Sequence, residues 1–155
     1  MSEPLIFMMG NFSAEFPQSL LYAKNHMWSQ PLNRDVFRFG LSAYAVRLLQ
    51  DVYFFDLMIE PGMVVKSRQE IGSIESKKAE SSLYSPVAGI VERINSGLLE
   101  DPTAINIDKY GEGWMMDMRL EPEAIAQLLS PVAYIEHLVQ AWEVAQRTIK
   151  GQVNG

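Results

Sequence analysis

The sequence contains no cysteine and only two histidines in 155 residues. Without cysteine, disulfide bonds, thiolate metal sites and a cysteine nucleophile are excluded, and the composition suits a reducing compartment. His26 and His137 lie far apart in the sequence and show neither H-E-x-x-H nor H-x-x-E-H spacing. We therefore expect no metal site, and we interpret each histidine as a half-buried polar side chain.

Long apolar runs and an excess of basic residues are missing as well. The first residues contain an apolar run of only five, Leu5 to Met9, with Glu3 and no basic residue before it, which is unlike a secretory signal. No segment approaches the ~20 apolar residues of a membrane span. The formal net charge of −6 disfavours nonspecific attraction to nucleic acid or anionic membranes. These features predict a cytoplasmic protein that binds neither nucleic acid nor membrane and whose partners present basic surfaces.

Catalytic motifs are equally scarce. There is no G-x-S-x-G motif, although the abundance of serines and acids leaves a Ser-His-Asp site open. The YGEGW segment, residues 110–114, does not continue as a phosphate-binding loop, and we interpret it as a turn entering a strand. Glu100, Asp101 and Asp108 lack calcium-loop spacing and are interpreted as solvated. Core packing is the predicted use of five methionines, Met8, Met9, Met115, Met116 and Met118.

What is present is a chain with 48% hydrophobic residues, long enough for one domain with a real core. A short helix is expected over residues 41–50 with Ser42 as its cap, and a turn at Pro61-Gly62. Residues 1–19 are expected to be irregular, and residues 95–114 to form a long polar loop. Alternation and β-forming residues predict strands within residues 20–30, 34–42, 51–59, 64–76, 82–95 and 114–120.

The end of the chain has a helical pattern. Pro122 and Pro131 each open a predicted helix, because proline is tolerated at the first helical position. The second of these helices carries an apolar stripe, formed by Ile135, Leu138, Val139, Trp142 and Ala145. The fold class predicted from these patterns is a single mostly-β (α+β) domain with helices appended.

Residues 74–89, IESKKAESSLYSPVAG, place two adjacent lysines between two extended runs. The KKAE segment therefore falls at a hairpin-like reversal, where side chains project into water. A lysine that a second enzyme modifies must be exposed and held on a rigid element, and Lys77 and Lys78 both meet these conditions. From the pattern alone, an ordinary solvated turn is the simpler interpretation.

Four motifs, taken together, resemble the glycine cleavage system H protein family in order and spacing. They are YAKNHMW (22–28), FGLSAYAVRLLQDVYFFDL (39–57), ESKKAESSLYSPVAG (75–89) and YGEGW (110–114). The resemblance runs from about residue 20 to 140. It implies a lipoyl-domain-like hybrid barrel sandwich of two small antiparallel sheets with C-terminal helices. The expected organisation is an irregular segment over 1–19, a single lipoyl-carrier domain over 20–147 and a tail over 148–155.

The resemblance also implies a site. The family's E-S-x-K-A motif matches residues 75–79, so Lys78 is expected to carry lipoic acid in amide linkage and Lys77 to be a variable neighbour. Amide formation removes the charge of Lys78 and attaches a dithiolane on a long arm. The other expected site residues are Glu75, Ser76, Ala79 and Ser82, which flank the attachment, and His26, a candidate for the lining of the arm's cleft.

The function implied by the resemblance is that of a carrier subunit and not of an enzyme. The arm would take the aminomethyl group of glycine from a pyridoxal-phosphate glycine decarboxylase to a tetrahydrofolate-dependent aminomethyltransferase. A flavoprotein dihydrolipoyl dehydrogenase would reoxidise it, and a lipoate ligase or lipoyl transferase would attach it. An acidic carrier surface favours docking to such partners by charge complementarity.

Two positions depart from the family pattern. The chain has Met27 where the family shows the glutamate of H-E-W, and Ser82 where the family shows an aspartate. In the family these acids are associated with holding the loaded arm in a cleft, and losing one such partner costs about 1–3 kcal/mol. Two alternatives follow. One is an H-like lipoyl protein with another cargo, in sulfur oxidation or lipoyl relay, and the other is an interaction module without the lipoyl group.

Overall fold

The protein is built mainly of β-strands, with short helices between them and one long helix at the end. The computed structural model describes residues 3–154, with side chains described for residues 3–147. The strands are β1 (Leu5–Met9), β2 (Phe12–Phe16), β3 (Leu21–Tyr22), β4 (Met27–Pro31), β5 (Val36–Leu41), β6 (Val52–Leu57), β7 (Val64–Val65), β8 (Glu70–Ser76), β9 (Glu80–Tyr84), β10 (Gly89–Ile94) and β11 (Met116–Arg119). The helices are α1 (Ala43–Leu49), α2 (Ser96–Glu100), α3 (Thr103–Ile107), α4 (Pro122–Ile125) and α5 (Pro131–Asn154). The predicted mostly-β fold with helices at the carboxyl end is confirmed.

Two antiparallel sheets enclose the main core. One has the strand order β3-β4-β5-β11-β10-β7 and the other has the order β6-β8-β9. Phe39 on β5 lies opposite Met116 on β11, and both are buried. From the second sheet, Ile71 and Ile74 join the same cluster. The apolar faces of both sheets are thus removed from water together, which is the main source of stability for such a fold.

Three predicted strands are each divided in two. Residues 20–30 form β3 and β4, because the chain reverses at His26, whose φ of 76° lies in the left-handed region. Residues 64–76 form β7 and β8, with Arg68 also at positive φ between them. Residues 82–95 contribute to β9 and β10, and the break falls at Pro86, which has no backbone N–H for a sheet ladder. The Pro61-Gly62 turn is confirmed, with Gly62 at φ 94°.

The prediction that residues 1–19 are irregular is wrong in the described part. The strands β1 and β2 pair antiparallel as a two-stranded sheet around Gly10, whose φ of 64° suits the tight turn. Met9, Ala14 and Phe16 are buried on the inner face of this hairpin. Met8 points to the opposite face and is 52% exposed, so its predicted core position is wrong.

The predicted polar loop over residues 95–114 is also wrong, because it contains α2 and α3. Each of these one-turn helices buries one apolar side chain, Leu98 and Ile105 respectively. The carboxylate of Asp101 accepts a hydrogen bond from the backbone N–H of Thr103 at 3.0 Å, which stabilises the start of α3. YGEGW is a turn that leads into β11, as predicted.

Both predicted C-terminal helices are confirmed, and each begins at its proline. The predicted stripe of α5 is confirmed in part, because Ile135, Leu138 and Trp142 pack inward. Tyr134 and Leu138 are fully buried, whereas Val139 is 58% exposed. The helix continues to Asn154, through most of the segment expected to be a tail, while Gly155 lies outside the described residues. Within residues 3–154 no helix is both long and apolar enough to cross a membrane.

Candidate functional site

The turn between β8 and β9 presents Lys77, Lys78 and Ala79 to solvent. Buried Ser76 closes this turn with its backbone and its hydroxyl. Its N–H donates to the Ala79 carbonyl at 2.9 Å, and its Oγ accepts from the Ala79 N–H at 3.2 Å. The predicted reversal at KKAE is therefore confirmed, and its shape is set by hydrogen bonds rather than by a glycine.

The end of α1 supports the same turn from below. The N–H of Lys78 donates to the Leu49 carbonyl at 3.3 Å, and the N–H of Lys77 donates to the carbonyls of Gln50 and Asp51 at 3.2 and 3.3 Å. Gln50 and Asp51 have φ of 52° and 41°, an arrangement uncommon for residues with a side chain. The backbones of both lysines are thus anchored while their side chains stay exposed.

A pocket of about 190 Å³ lies beside this turn, and we call it the Leu49 pocket. Leu49, whose carbonyl binds Lys78, lines one side of it, and residues Ser81 to Tyr84 of β9 line another. The remaining lining residues are Asn25, His26, Met27, Leu41, Ala45, Leu48 and Ile74. The pocket walls are mostly apolar and include no lysine, arginine, aspartate or glutamate. Such a wall suits an uncharged alkyl chain.

His26 is a half-buried polar wall residue of the Leu49 pocket. Its Nδ1 lies 3.0 Å from the hydroxyl of Tyr134 on α5, and that hydroxyl lies 2.9 Å from Oγ of Ser42. Ser42 precedes α1 as expected, but its hydroxyl binds Tyr134 and does not cap the helix. The ring of His137 stacks on His26 at 5.5 Å between centroids.

The electrostatic character of this network is neutral. Burial, followed by the proximity of His137, lowers the pKa of His26 from its ordinary 6.5 to about 4. Burial also raises the pKa of the Tyr134 hydroxyl, which therefore stays protonated. At neutral pH the imidazole of His26 is uncharged, so the pocket holds no formal charge. The charges near the lysines are instead on the surface, where Glu75 and Glu80 face each other across the turn.

The structure brings most predicted site residues to one place. Glu75 and Ser76 end β8, Lys78 and Ala79 form the turn, and Ser82 on β9 lines the Leu49 pocket. His26, distant in sequence, lines the same pocket, and both histidines are half-buried as predicted. The open Ser-His-Asp alternative finds no support, because among the described residues neither imidazole hydrogen-bonds a serine hydroxyl or a carboxylate. Nor do the described residues contain a group of three or more metal-ligating side chains.

Sequence reasoning missed several residues that build the site. Tyr134 reaches His26 across 108 positions of sequence, and no local pattern marks such a contact. Gln50 and Asp51 act through backbone carbonyls at positive φ, for which a glycine would have been the usual signal. Leu48 and Leu49 lie within the predicted helix over residues 41–50, but its pattern does not mark them as the wall of a pocket beside Lys78.

Comparison with known proteins is consistent with this geometry. The family model of the glycine cleavage H-protein matches residues 20–141. A glycine cleavage system H protein of Rubrobacter xylanophilus is 42% identical over 125 residues, covering 81% of this chain and 96% of the relative. One from Stenotrophomonas maltophilia strain R551-3 is 38% identical over 126 residues, covering 81% and 95%.

A solved structure shows the same architecture. The crystal structure of a glycine cleavage system H protein from Mycobacterium marinum superposes with a TM-score of 0.67 at 29% identity, covering 81% of this chain and 98% of that chain. The lipoyl-domain-like sandwich expected from the resemblance is thereby confirmed. The matched family region begins after the β1–β2 hairpin and includes the lysine turn and the Leu49 pocket. The chain belongs to the glycine cleavage H-protein family.

Proposed function

We propose that this protein is the lipoyl carrier of a glycine cleavage system, with lipoic acid in amide linkage on Lys78. One observation carries the proposal: Lys78 is exposed on a turn whose backbone is anchored to Ser76 and to the end of α1. A modifying enzyme requires a rigid, accessible lysine of this kind. Lys77 shares the exposure, and the match to the family's E-S-x-K-A motif favours Lys78 over Lys77.

The residues of this chain hold the lipoyl group in position and keep its alkyl part away from water. Attached to Lys78, the lipoyl group supplies a reactive disulfide that takes up and releases an aminomethyl group. The apolar wall of the Leu49 pocket, including Leu48 and Leu49, suits the alkyl part of such an arm and excludes water from it. Carboxylates beside the turn, from half-buried Glu75 and exposed Glu80, favour docking to basic surfaces of partner enzymes.

The proposed partners are those of the cycle itself. They are the pyridoxal-phosphate glycine decarboxylase, the tetrahydrofolate-dependent aminomethyltransferase, dihydrolipoyl dehydrogenase, and a lipoate ligase or lipoyl transferase. Each needs access to the arm and none needs a catalytic group on this chain.

Intact-mass measurement tests the attachment directly. After co-expression with a lipoate ligase, the native chain and a Lys77→Arg variant are expected to gain one lipoyl mass. A Lys78→Arg variant is expected to gain none, although its fold is unchanged because the side chain is exposed. A native chain that stays unmodified while a control carrier is loaded would favour the alternative of an interaction module without the lipoyl group. Mass gain in Lys78→Arg would show that the attachment lies elsewhere.

A second candidate function keeps the arm and changes its cargo. The observation that favours it is the Leu49 pocket, where Met27 and Ser82 stand in place of the family's two acids and no carboxylate lines the wall. An H-like carrier for sulfur oxidation or lipoyl relay would not need those acids. Efficient aminomethyl transfer by the native chain would exclude this candidate. Near-absent transfer that rises strongly in a Met27→Glu, Ser82→Asp variant would support it.

A further inference from the structure

The polar groups on the wall of the Leu49 pocket are few, and most already have partners. The amide of Asn25 donates to the Tyr84 carbonyl at 2.9 Å, and its oxygen accepts from the Met27 N–H at 3.3 Å. The hydroxyl of Ser81 binds the Ser82 carbonyl at 3.3 Å. The side-chain groups left for a ligand are the Ser82 hydroxyl, the Tyr84 hydroxyl and the imidazole of His26, and of these only the imidazole offers a basic nitrogen.

His26 has one nitrogen engaged and one nitrogen free. Its Nδ1 contacts the Tyr134 hydroxyl at 3.0 Å. Its Nε2 has no hydrogen-bonding partner among the described residues, yet it is not sealed from solvent. When Nδ1 carries the proton and donates to Tyr134, Nε2 is a bare acceptor. The Tyr134 hydroxyl can then donate onward to Ser42, 2.9 Å away, which makes a continuous chain of hydrogen bonds.

The cargo of the proposed cycle calls for such an acceptor. An aminomethyl group on sulfur ends in an amine, and a protonated amine has only N–H donors to offer. A hydrogen bond from a cation to an acceptor is stronger than one between neutral groups, and an uncharged imidazole supplies a basic lone pair. A protonated imidazole would instead repel the amine. Tyr44, Tyr134 and His137 pack around this ring, and none of them brings a negative charge that would favour its protonation.

We propose that the free Nε2 of His26 accepts a hydrogen bond from the amine of the arm's cargo, and that Tyr134, which hydrogen-bonds Nδ1, is the positioning residue that holds the imidazole in this orientation. The proposal rests on the carrier function proposed above and assigns recognition of the cargo to a histidine instead of a carboxylate. It also gives a role to the β1–β2 hairpin and α5. Phe16 of that hairpin packs edge-on against the Tyr134 ring at 5.4 Å, which holds the ring under His26.

The test uses the full-length lipoylated protein, with Lys78 occupancy checked by mass. The arm is reduced to the dithiol and loaded chemically, since one thiol, formaldehyde and ammonia condense to an aminomethyl thioether with loss of one water. Nitrogen NMR of labelled histidine then reports the protonation of His26 before and after loading. We expect a bare Nε2 whose resonance moves on loading, whereas the two nitrogens of His137 stay unchanged.

Two variants separate recognition from stability. Tyr134→Phe removes the hydroxyl that binds Nδ1 but keeps the ring stacked on Tyr22 at 4.6 Å. Its matched control is Tyr22→Phe, which removes a buried hydroxyl that donates to the Pro17 carbonyl and does not touch His26. We expect release of the aminomethyl group to be several-fold faster in Tyr134→Phe and unchanged in Tyr22→Phe. Reduction of the unloaded arm is expected to be equal in both.

His26→Asn gives the direct measurement, because asparagine tolerates the positive φ of this position. Cargo release is expected to be at least about tenfold faster than in the native chain, as for loss of a charged hydrogen bond. Equal release rates, or an Nε2 that carries the proton in the loaded protein, would overturn the proposal. Faster release in Ser82→Ala but not in His26→Asn would overturn it in favour of the hydroxyl. A chain without lipoyl mass on Lys78 would refute the carrier function, whereas a loaded chain with an unmoved Nε2 would refute this inference alone.

Discussion

Lys77 and Lys78 are neighbours in one turn, yet their backbone contacts differ. The N–H of Lys77 is shared between the carbonyls of Gln50 and Asp51, whereas the N–H of Lys78 binds Leu49, which also lines the Leu49 pocket. The backbone of Lys78 is therefore tied directly to the pocket wall. An arm on Lys78 starts beside that wall, and this adds a structural reason to the motif match for preferring Lys78.

The lowered pKa of His26 predicts that the free energy of unfolding depends on pH. Its pKa is about 4 in the folded chain and near 6.5 when unfolded, so between these values the unfolded chain binds the extra proton. The free energy of unfolding is therefore highest above about pH 6.5. It decreases by up to about 3 kcal/mol as the pH falls towards 4. Urea unfolding across this range measures it. His26→Asn removes this titration and should show a shallower decline, while parallel curves for both proteins would contradict the prediction.

The burial of Met27 predicts that the family's glutamate at this position would destabilise this chain. Its side chain is 1% exposed and belongs to the main core cluster. Met27→Glu places a carboxylate there, and the nearby pocket wall offers no cation to pair with it. We expect a loss of about 3 kcal/mol or more at neutral pH, partly recovered in mild acid as the carboxyl protonates.

Met27→Leu is the matched control, because a volume-conserving apolar change costs less than about 1.5 kcal/mol. Thermal unfolding of both variants at neutral and mildly acidic pH makes the comparison. If Met27→Glu were as stable as Met27→Leu at neutral pH, the pocket would have to supply a partner that its lining does not suggest.

At the scale of elements, the β8–β9 turn depends on one hydroxyl. The hydroxyl of Ser76 accepts a hydrogen bond from the Ala79 N–H at 3.2 Å and donates one to the Ala79 carbonyl at 3.1 Å. In Ser76→Ala this bridge is lost, and we expect a destabilisation of about 1 kcal/mol together with slower lipoylation at a less ordered turn. The rate of mass gain with a lipoate ligase measures the second effect. Ser81→Ala, which alters only an exposed hydroxyl on the same hairpin, should match the native rate.

The elements that sequence patterns predicted are those with strong local signals. Prolines marked the starts of α4 and α5, and the apolar run over residues 51–59 marked β6. The hairpin before residue 20 was not predicted, although Met9, Ala14 and Phe16 fall on one face, because Pro4, Gly10 and Pro17 are typical of irregular structure. In α5 the pattern predicted the burial of Leu138 correctly, but it included Val139, which is 58% exposed, and left out Tyr134, which is fully buried. Which residues of α5 are buried depends on the β1–β2 hairpin that packs against it, and the helical pattern carries no information about that hairpin.

The candidate site, too, was predicted only in those parts that have a strong local signal. Motif spacing located Lys78 and its flanking residues, since they lie in one continuous segment. The Leu49 pocket collects β4, α1, β8 and β9, and the orientation of His26 depends on Tyr134, 108 positions away. Contacts of that separation arise only from tertiary packing. No periodicity within either segment reports them.

On the scale of the whole molecule, the chain has two apolar cores. The first lies between the sheets, and the second joins β1, β2 and α5 to the face that carries Trp28 and Tyr44. The lysine turn belongs to the first core through Ile74 and Leu83, whereas the support of His26 belongs to the second through Tyr134. The proposed attachment of the arm and the proposed recognition of its cargo therefore depend on different parts of the fold.

Removing residues 1–19 tests this division. The deletion takes Met9, Ala14 and Phe16 out of the second core, and burial of a Phe or Met side chain is worth about 1.5–3 kcal/mol. We expect a loss of at least about 3 kcal/mol in unfolding free energy and faster amide exchange in α5, with exchange in β8 and lipoylation of Lys78 retained. The matched control is Ile6→Ser with Met8→Ser, on the exposed face of the same hairpin, which should stay within about 0.5 kcal/mol of the native chain. Equal losses of protection in α5 and β8 would mean that the two cores unfold as one unit and that the division is wrong.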